Sequence, residues 1–170
     1  MPKTYEPIAT TTLGTASATV TFSSIPGTYT DLILVGNFGH SQVNEGLWLQ
    51  FNGDTASNYS LTTLYGNGTS ALSARESNQT KAFVSYYVAP VNAISTLTIC
   101  QIMNYSNATT NKTVISRSNR TDTGSNLPGT EASVNLWRKT PEAINSITIS
   151  LNAGNIISGS TFTLYGIKAA

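Results

Sequence analysis

Along nearly the whole chain, apolar residues alternate with Ser, Thr and Asn in short runs separated by Gly- and Asn-containing turns. Alternation with a period of two marks antiparallel strands that bury one face and wet the other. Ser146–Leu151 is the clearest case, with Ile147, Ile149 and Leu151 on one face and Ser146, Thr148 and Ser150 on the opposite one. Further strands are predicted at Ala18–Ser23, Asp31–Phe38, Gly46–Phe51, Ala82–Val88, Ser95–Asn104, Lys112–Arg117, Ala132–Arg138 and Thr161–Ile167. Strands at this spacing, about ten in all, predict an all-β antiparallel β-sandwich of jelly-roll type with little or no helix.

Departures from the alternation refine that picture. Asp31-Leu32-Ile33-Leu34-Val35 is continuously apolar, which predicts a strand covered on both sides, in the middle of the sandwich or at a subunit contact. Ile25–Thr28, Asn52-Gly53-Asp54, Gly66-Asn67-Gly68 and Ala153-Gly154-Asn155 supply the backbone conformations that turns need. Thr140–Ile144 predicts one turn of helix, with Thr140 as cap and Pro141 at the first helical position, and Ala56–Tyr65 a second short one. The Ser-, Asn- and Gly-rich stretch Arg117–Thr130 is expected to be the least ordered. Residues 1–170 read as a single domain. The segment Pro2–Leu13 is either an arm reaching a neighbour through Tyr5, Ile8 and Leu13 or the edge strand of the chain's own sheet.

Composition narrows the function classes. A 170-residue chain is long enough to bury a core without staples. Only 10% of residues are charged and the net charge is +1, which excludes an electrostatic grip on nucleic acid or an anionic membrane. No apolar run approaches the ~18 residues of a membrane-spanning helix. Met1–Pro7 has neither the basic nor the apolar region of a secretory leader, so synthesis in a cytoplasm is expected. The Asn-x-Ser/Thr triplets, such as Asn58-Tyr59-Ser60 and Asn107-Ala108-Thr109, follow from the composition. The single Cys100 lies in an apolar run and reads as a small buried hydrophobe.

Residues that carry chemistry are scarce. The one histidine, His40, ends a strand and reads as a solvent-exposed loop residue, and the adjacent Ser41 is not placed to be its nucleophile. Too few His and Cys exist for a transition-metal site. Asn52, Asp54 and Asn58 share a loop that could offer calcium oxygens, but one carboxylate and no EF-hand spacing favour an ordinary Asx-type turn. Asp31, Glu45, Asp54, Glu76, Glu131 and Glu142 are too scattered to pair as a glycosidase dyad. Sugar stacking on Trp48, Tyr86, Tyr87 or Trp137 is the more serious alternative. Trp48 alternates away from Leu47 and Leu49, and Trp137 from Leu136, so at least one indole should face away from the core.

Four segments, taken as a set, resemble a known group of proteins. They are Leu49–Ser60, Ile102–Asn107, Asn135–Arg138 and Gly159–Ile167, together with the opening Tyr5-Glu6-Pro7-Ile8-Ala9. The chain resembles, over nearly its whole length, small virion structural proteins of tailed bacteriophages, of the capsid decoration (cement) or tail-fibre type. The resemblance implies a jelly-roll sandwich made in the host bacterial cytoplasm and destined for the virion, with no catalytic residues, metal or cofactor. It further implies a major capsid or tail protein as partner, a homo-oligomer with a trimer favoured, and host glycan as the partner in the fibre alternative. Tyr5, Ile8, Leu13, Trp48 and Trp137 are the partner-binding candidates.

Overall fold

The computed structural model describes residues 4–42, 46–85, 93–94, 96–120 and 128–168, which hold twelve strands and no helix. These are β1 (Tyr5–Thr12), β2 (Thr19–Phe22), β3 (Asp31–Phe38), β4 (Leu47–Phe51), β5 (Tyr59–Gly66) and β6 (Ala71–Gln79), followed by β7 (Ala82–Ser85), β8 (Thr96–Met103), β9 (Lys112–Arg120), β10 (Gly129–Trp137), β11 (Ile147–Leu151) and β12 (Thr161–Ile167). A large sheet has the order β1-β12-β3-β8-β9-β10-β5-β6 and a small one the order β2-β11-β4-β7. Every pairing within them is antiparallel. The chain crosses between sheets at each of its first four connections, so β3 and β4 lie beside β12 and β11 in their respective sheets. This wrapped pairing makes an antiparallel β-sandwich of jelly-roll type.

The core forms where the small sheet covers the large one. From the small sheet come Val20, Phe22, Leu47, Leu49, Phe51, Ile147, Ile149 and Leu151; from the large sheet Leu32, Leu34, Phe38, Cys100, Ile102, Phe162 and Leu164, all buried. Burial pushes the Cys100 thiol pKa far up, so it behaves as the small hydrophobe its context predicts. Gly166 lets the Tyr29 ring lie directly on β12, since a Cβ there would come within 2.3 Å of the ring.

Three expectations need correction. Ala56–Tyr65 is not a helix: after a turn it becomes β5, held between β10 and β6, with the β-branched Thr62 and Thr63 suited to a pleated surface. Thr140–Ile144 is not helical either, because Ile144 N–H is drawn to the Tyr105 carbonyl and Asn52 ties down Ala143 and Glu142. β3 is covered fully on one face only: Leu32 and Leu34 are buried, while Ile33 and Val35 are half-buried on the outer face. Of the stretch Arg117–Thr130, β9 continues to Arg120 and β10 starts at Gly129; residues 121–127 lie outside the described ones.

Candidate functional site

β10 carries the feature that sets this sandwich apart. Its alternation places Glu131, Ser133, Asn135 and Trp137 in the interior and Thr130, Ala132, Val134 and Leu136 outside, so most of its apolar side chains face away from the molecule. The flanking strands agree in register. Ser116 pairs with Ser133 and Ser133 with Thr63, giving an inward row of hydroxyls; Ile115 pairs with Val134 and Arg117 with Ala132, which in turn pairs with Leu64, giving an outward apolar field.

Most of the inward hydroxyls are held by hydrogen bonds, while the buried Ser116 Oγ has no partner among the described residues. Thr63 Oγ1 and Ser133 Oγ each donate to Glu131 Oε1 at 2.8 Å, Thr98 and Ser118 share a hydrogen bond of 2.8 Å, and Ser118 also donates to the Val84 carbonyl at 3.1 Å. At the border between this polar interior and the dry core, Asn135 does the work of a strand. Its Nδ2 donates to the Phe83 carbonyl at 2.7 Å and its Oδ1 accepts from Phe83 N–H at 2.8 Å, closing the edge of the small sheet at β7. Buried polar groups so paired cost little, and a lost partner costs the desolvation of whatever remains.

Outside, the field is broad. Leu64 is 61% exposed, Val134 49% and Ile115 43%, with Met103 and Leu97 also exposed. Ile99, Ile33 and Val35 continue it in register across β8 and β3. A groove of about 550 Å³ follows Leu64, Ala71, Leu72, Thr130 and Ala132, and smaller hollows lie beside Val134 and Leu136 and beside Leu97 and Ile99. Arg117, Arg75 and Arg138 are cations that line these hollows. Single exposed apolar residues are ordinary, whereas a contiguous field of them marks an interaction surface.

The residues singled out from sequence fall elsewhere. Trp137 is 2% exposed, packs on Phe51 and Tyr59, and donates from Nε1 to Asp54 Oδ2 at 2.7 Å, so it offers no surface to a partner. Trp48 is the indole that faces away from the core. It lies half-buried on the outside of the small sheet, against Phe83 at 4.5 Å between ring centroids and with Lys81 Nζ 6.0 Å from its own. Ile8 and Leu13 pack on the chain's own core and β1 pairs with β12, so the N-terminal segment is an edge strand rather than an arm; Tyr5 is 58% exposed at its start. Tyr86 and Tyr87 lie outside the described residues.

His40 is fully buried, contrary to the expectation of an exposed loop residue. Its strand end is bridged to Ile156 and its Nδ1 meets the Gln42 carbonyl, while Ser41 Oγ accepts from Asn155 N–H at 2.9 Å instead of facing the imidazole. In the Asn52–Asn58 loop the donors are protein N–H groups. Asp54 accepts from Ala56 N–H, Asn58 and Trp137, and Asn52 Oδ1 accepts from Asn145 and Ser146 N–H. Burial alone would raise the Asp54 pKa; the hydrogen bonds from Asn58, Trp137 and Ala56, helped by the charge of Lys139, outweigh it and hold the carboxyl below its ordinary range. Among the described residues no three His, Cys, Asp or Glu side chains converge.

Sequence reasoning missed the outer field. Its signal was present in Glu131–Trp137, where the polar residues share the parity of a tryptophan, a combination that puts either the indole or the acid on the unexpected side.

No family model matches the chain, and no curated protein sequence does. Among solved structures it is similar to Caenorhabditis elegans galectin LEC-6 at 10% identity and a TM-score of 0.37, over 91% of this chain and 94% of that one. It is also similar to scytalido-glutamic peptidase, at 11% identity and a TM-score of 0.27 over 91% and 64% of the two chains. A third is the CBM2 module of the evolved Dit of Lactobacillus casei BL23 phage J-1, at 9% identity and a TM-score of 0.16 over 95% and 77%. At these identities and TM-scores the likenesses carry no argument.

Proposed function

We propose that the chain is a non-enzymatic structural protein of a phage particle, most simply a capsid decoration or cement protein that docks on neighbouring shell subunits and holds them together. The observation that carries this reading is the outward-facing apolar field of β9, β10 and β5, with Ile115, Val134 and Leu64 exposed on a sandwich whose interior at the same place is polar. A face built in this way gains its burial by association, and attachment repeated over a shell lets modest single interfaces act together. Self-association as a trimer and a place on the virion surface belong to the same proposal. The test is to add purified protein to capsids that lack it and image them by cryo-electron microscopy. Ordered density at symmetric sites, with the large sheet's outer face against the shell, is expected; bare capsids would reject the reading.

A second reading rests on Trp48, whose half-exposed indole stands beside Gln50 and Lys81 on the outer face of the small sheet. An aromatic ring among amide and hydroxyl groups suits stacking with a sugar. Under this reading the chain is a tail or fibre component contacting host glycans, and saturable glycan binding should disappear in Trp48→Ala.

A further inference from the structure

The outer field contains charge as well as apolar surface, and the charge has one sign. Arg117 stands in register between Ile99 of β8 and Ala132 of β10, and Arg75 opposite Thr62, whose other neighbour is Val134. No carboxylate is among these neighbours. Glu76 borders the same hollow as Arg75, but its register partner is the inward Leu61, so its side chain belongs to the other face. Asp31, at the far margin of the field, is already engaged: it accepts from Gln101 Nε2 at 3.2 Å and from Asn104 N–H at 2.7 Å. Arg138 also opens on this side and donates to Asn78 Oδ1 at 3.2 Å.

We infer that the protein surface seated on this face is acidic as well as apolar, with carboxylates placed opposite Arg117 and Arg75. The inference rests on the structural reading above and names the chemistry of its partner. A partner that covers Ile99, Ala132 and Leu64 also takes Arg117 out of water. A guanidinium desolvated without a counter-charge is strongly unfavourable, whereas one met by a carboxylate forms two parallel charge-assisted hydrogen bonds. Arginine held in an apolar surround is a typical anchor at the centre of a protein interface. The two arginines sit three strands apart, roughly 14 Å at ordinary strand spacing, which a single partner surface spans. Nucleic acid is a poor occupant, because a net charge of +1 and two cations give little counterion release.

The experiment is a binding titration on capsids lacking the protein, at low and high salt, with wild type, Arg117→Glu, Arg75→Glu and Val134→Asp. All three positions are exposed or at the surface, and a thermal melt of each variant establishes that it is folded; the two arginine variants stand in for one another if one fails. Wild-type binding that weakens with salt, and at least a tenfold loss in each arginine variant, is the expected result. Loss of binding in Val134→Asp with wild-type affinity in both arginine variants would overturn the acidic partner while leaving the docking face in place. Tighter binding of Arg117→Glu would overturn it in the opposite sense, as the mark of a basic partner. Failure of the wild type to bind at all would instead overturn the structural reading on which the inference stands.

Discussion

Two regions of the large sheet, β12 with β3 and β9 with β10 and β5, turn different kinds of side chain inward. Under the small sheet, β12 and β3 turn Phe162, Leu164, Leu32 and Leu34 inward and show Thr161, Thr163 and Asn37 outward beside the half-buried Ile33 and Val35. Against β7, strands β9, β10 and β5 turn Ser116, Ser118, Glu131, Ser133 and Thr63 inward and show Ile115, Val134 and Leu64 outward. A strand pattern states only that two faces differ; which face is the core depends on what lies opposite. Where β7 covers these strands it meets hydroxyl and amide groups, as in the bonds from Asn135 to Phe83 and from Ser118 to Val84, and the apolar residues of β10 take the other face.

The border between the regions is the place to break this comparison. Asn135→Leu removes both bonds to Phe83 and leaves its N–H and C=O buried without partners, at an expected cost of about 2–4 kcal/mol, read by chemical denaturation. Next in size, Val134→Asp on the outer field should weaken particle binding about thirtyfold, equivalent to roughly 2 kcal/mol at an interface anchor, with little change in the thermal midpoint. The matched change Thr148→Asp on the small sheet should leave binding intact, and equal losses from both would erase the distinction between faces.

Within the dry core, Asp54→Asn should cost about 1–3 kcal/mol at neutral pH through loss of a charged acceptor for Trp137. Because the Asp54 pKa is lowered in the folded protein, its contribution is complete above the ordinary aspartate value of about 4 and is lost as pH falls through the folded one. Wild type and variant melts should therefore converge in acid. The smallest effect is expected for Thr148→Val, which breaks a single surface hydroxyl pair with Thr21 and should change stability by no more than about 0.5 kcal/mol.

The sandwich was legible because Leu32, Leu34, Ile147, Ile149, Phe162 and Leu164 each sit at the spacing of a buried strand face, and the turns around Gly53 and Gly154 adopt the positive φ that glycine permits. β5 was misread because Ala56–Tyr65 opens on helix-compatible residues, and only pairing on both sides makes it a strand. The outer field was invisible for a different reason. Val134 and Leu136 look like core residues in any local window, and only the packing of β7 against the opposite face of β10, a property of the topology, sends them outward. Trp137 shows the same point in reverse, since its separation from Leu136 was correctly read while the side assigned to each depends on the fold.

The threonine pairs on the outer faces, Thr10 with Thr163, Thr12 with Thr161 and Thr21 with Thr148, hold strands together through neutral dipoles. Among the described residues the ion pairs are Lys139–Glu142 and Lys168–Glu6, both at the surface. Mobile ions screen charges and leave such dipoles nearly untouched. The folding free energy should consequently be almost flat against electrolyte concentration. Any steep response to salt in this protein then reports what it touches and not whether it is folded, which makes salt a clean dial for separating attachment from integrity.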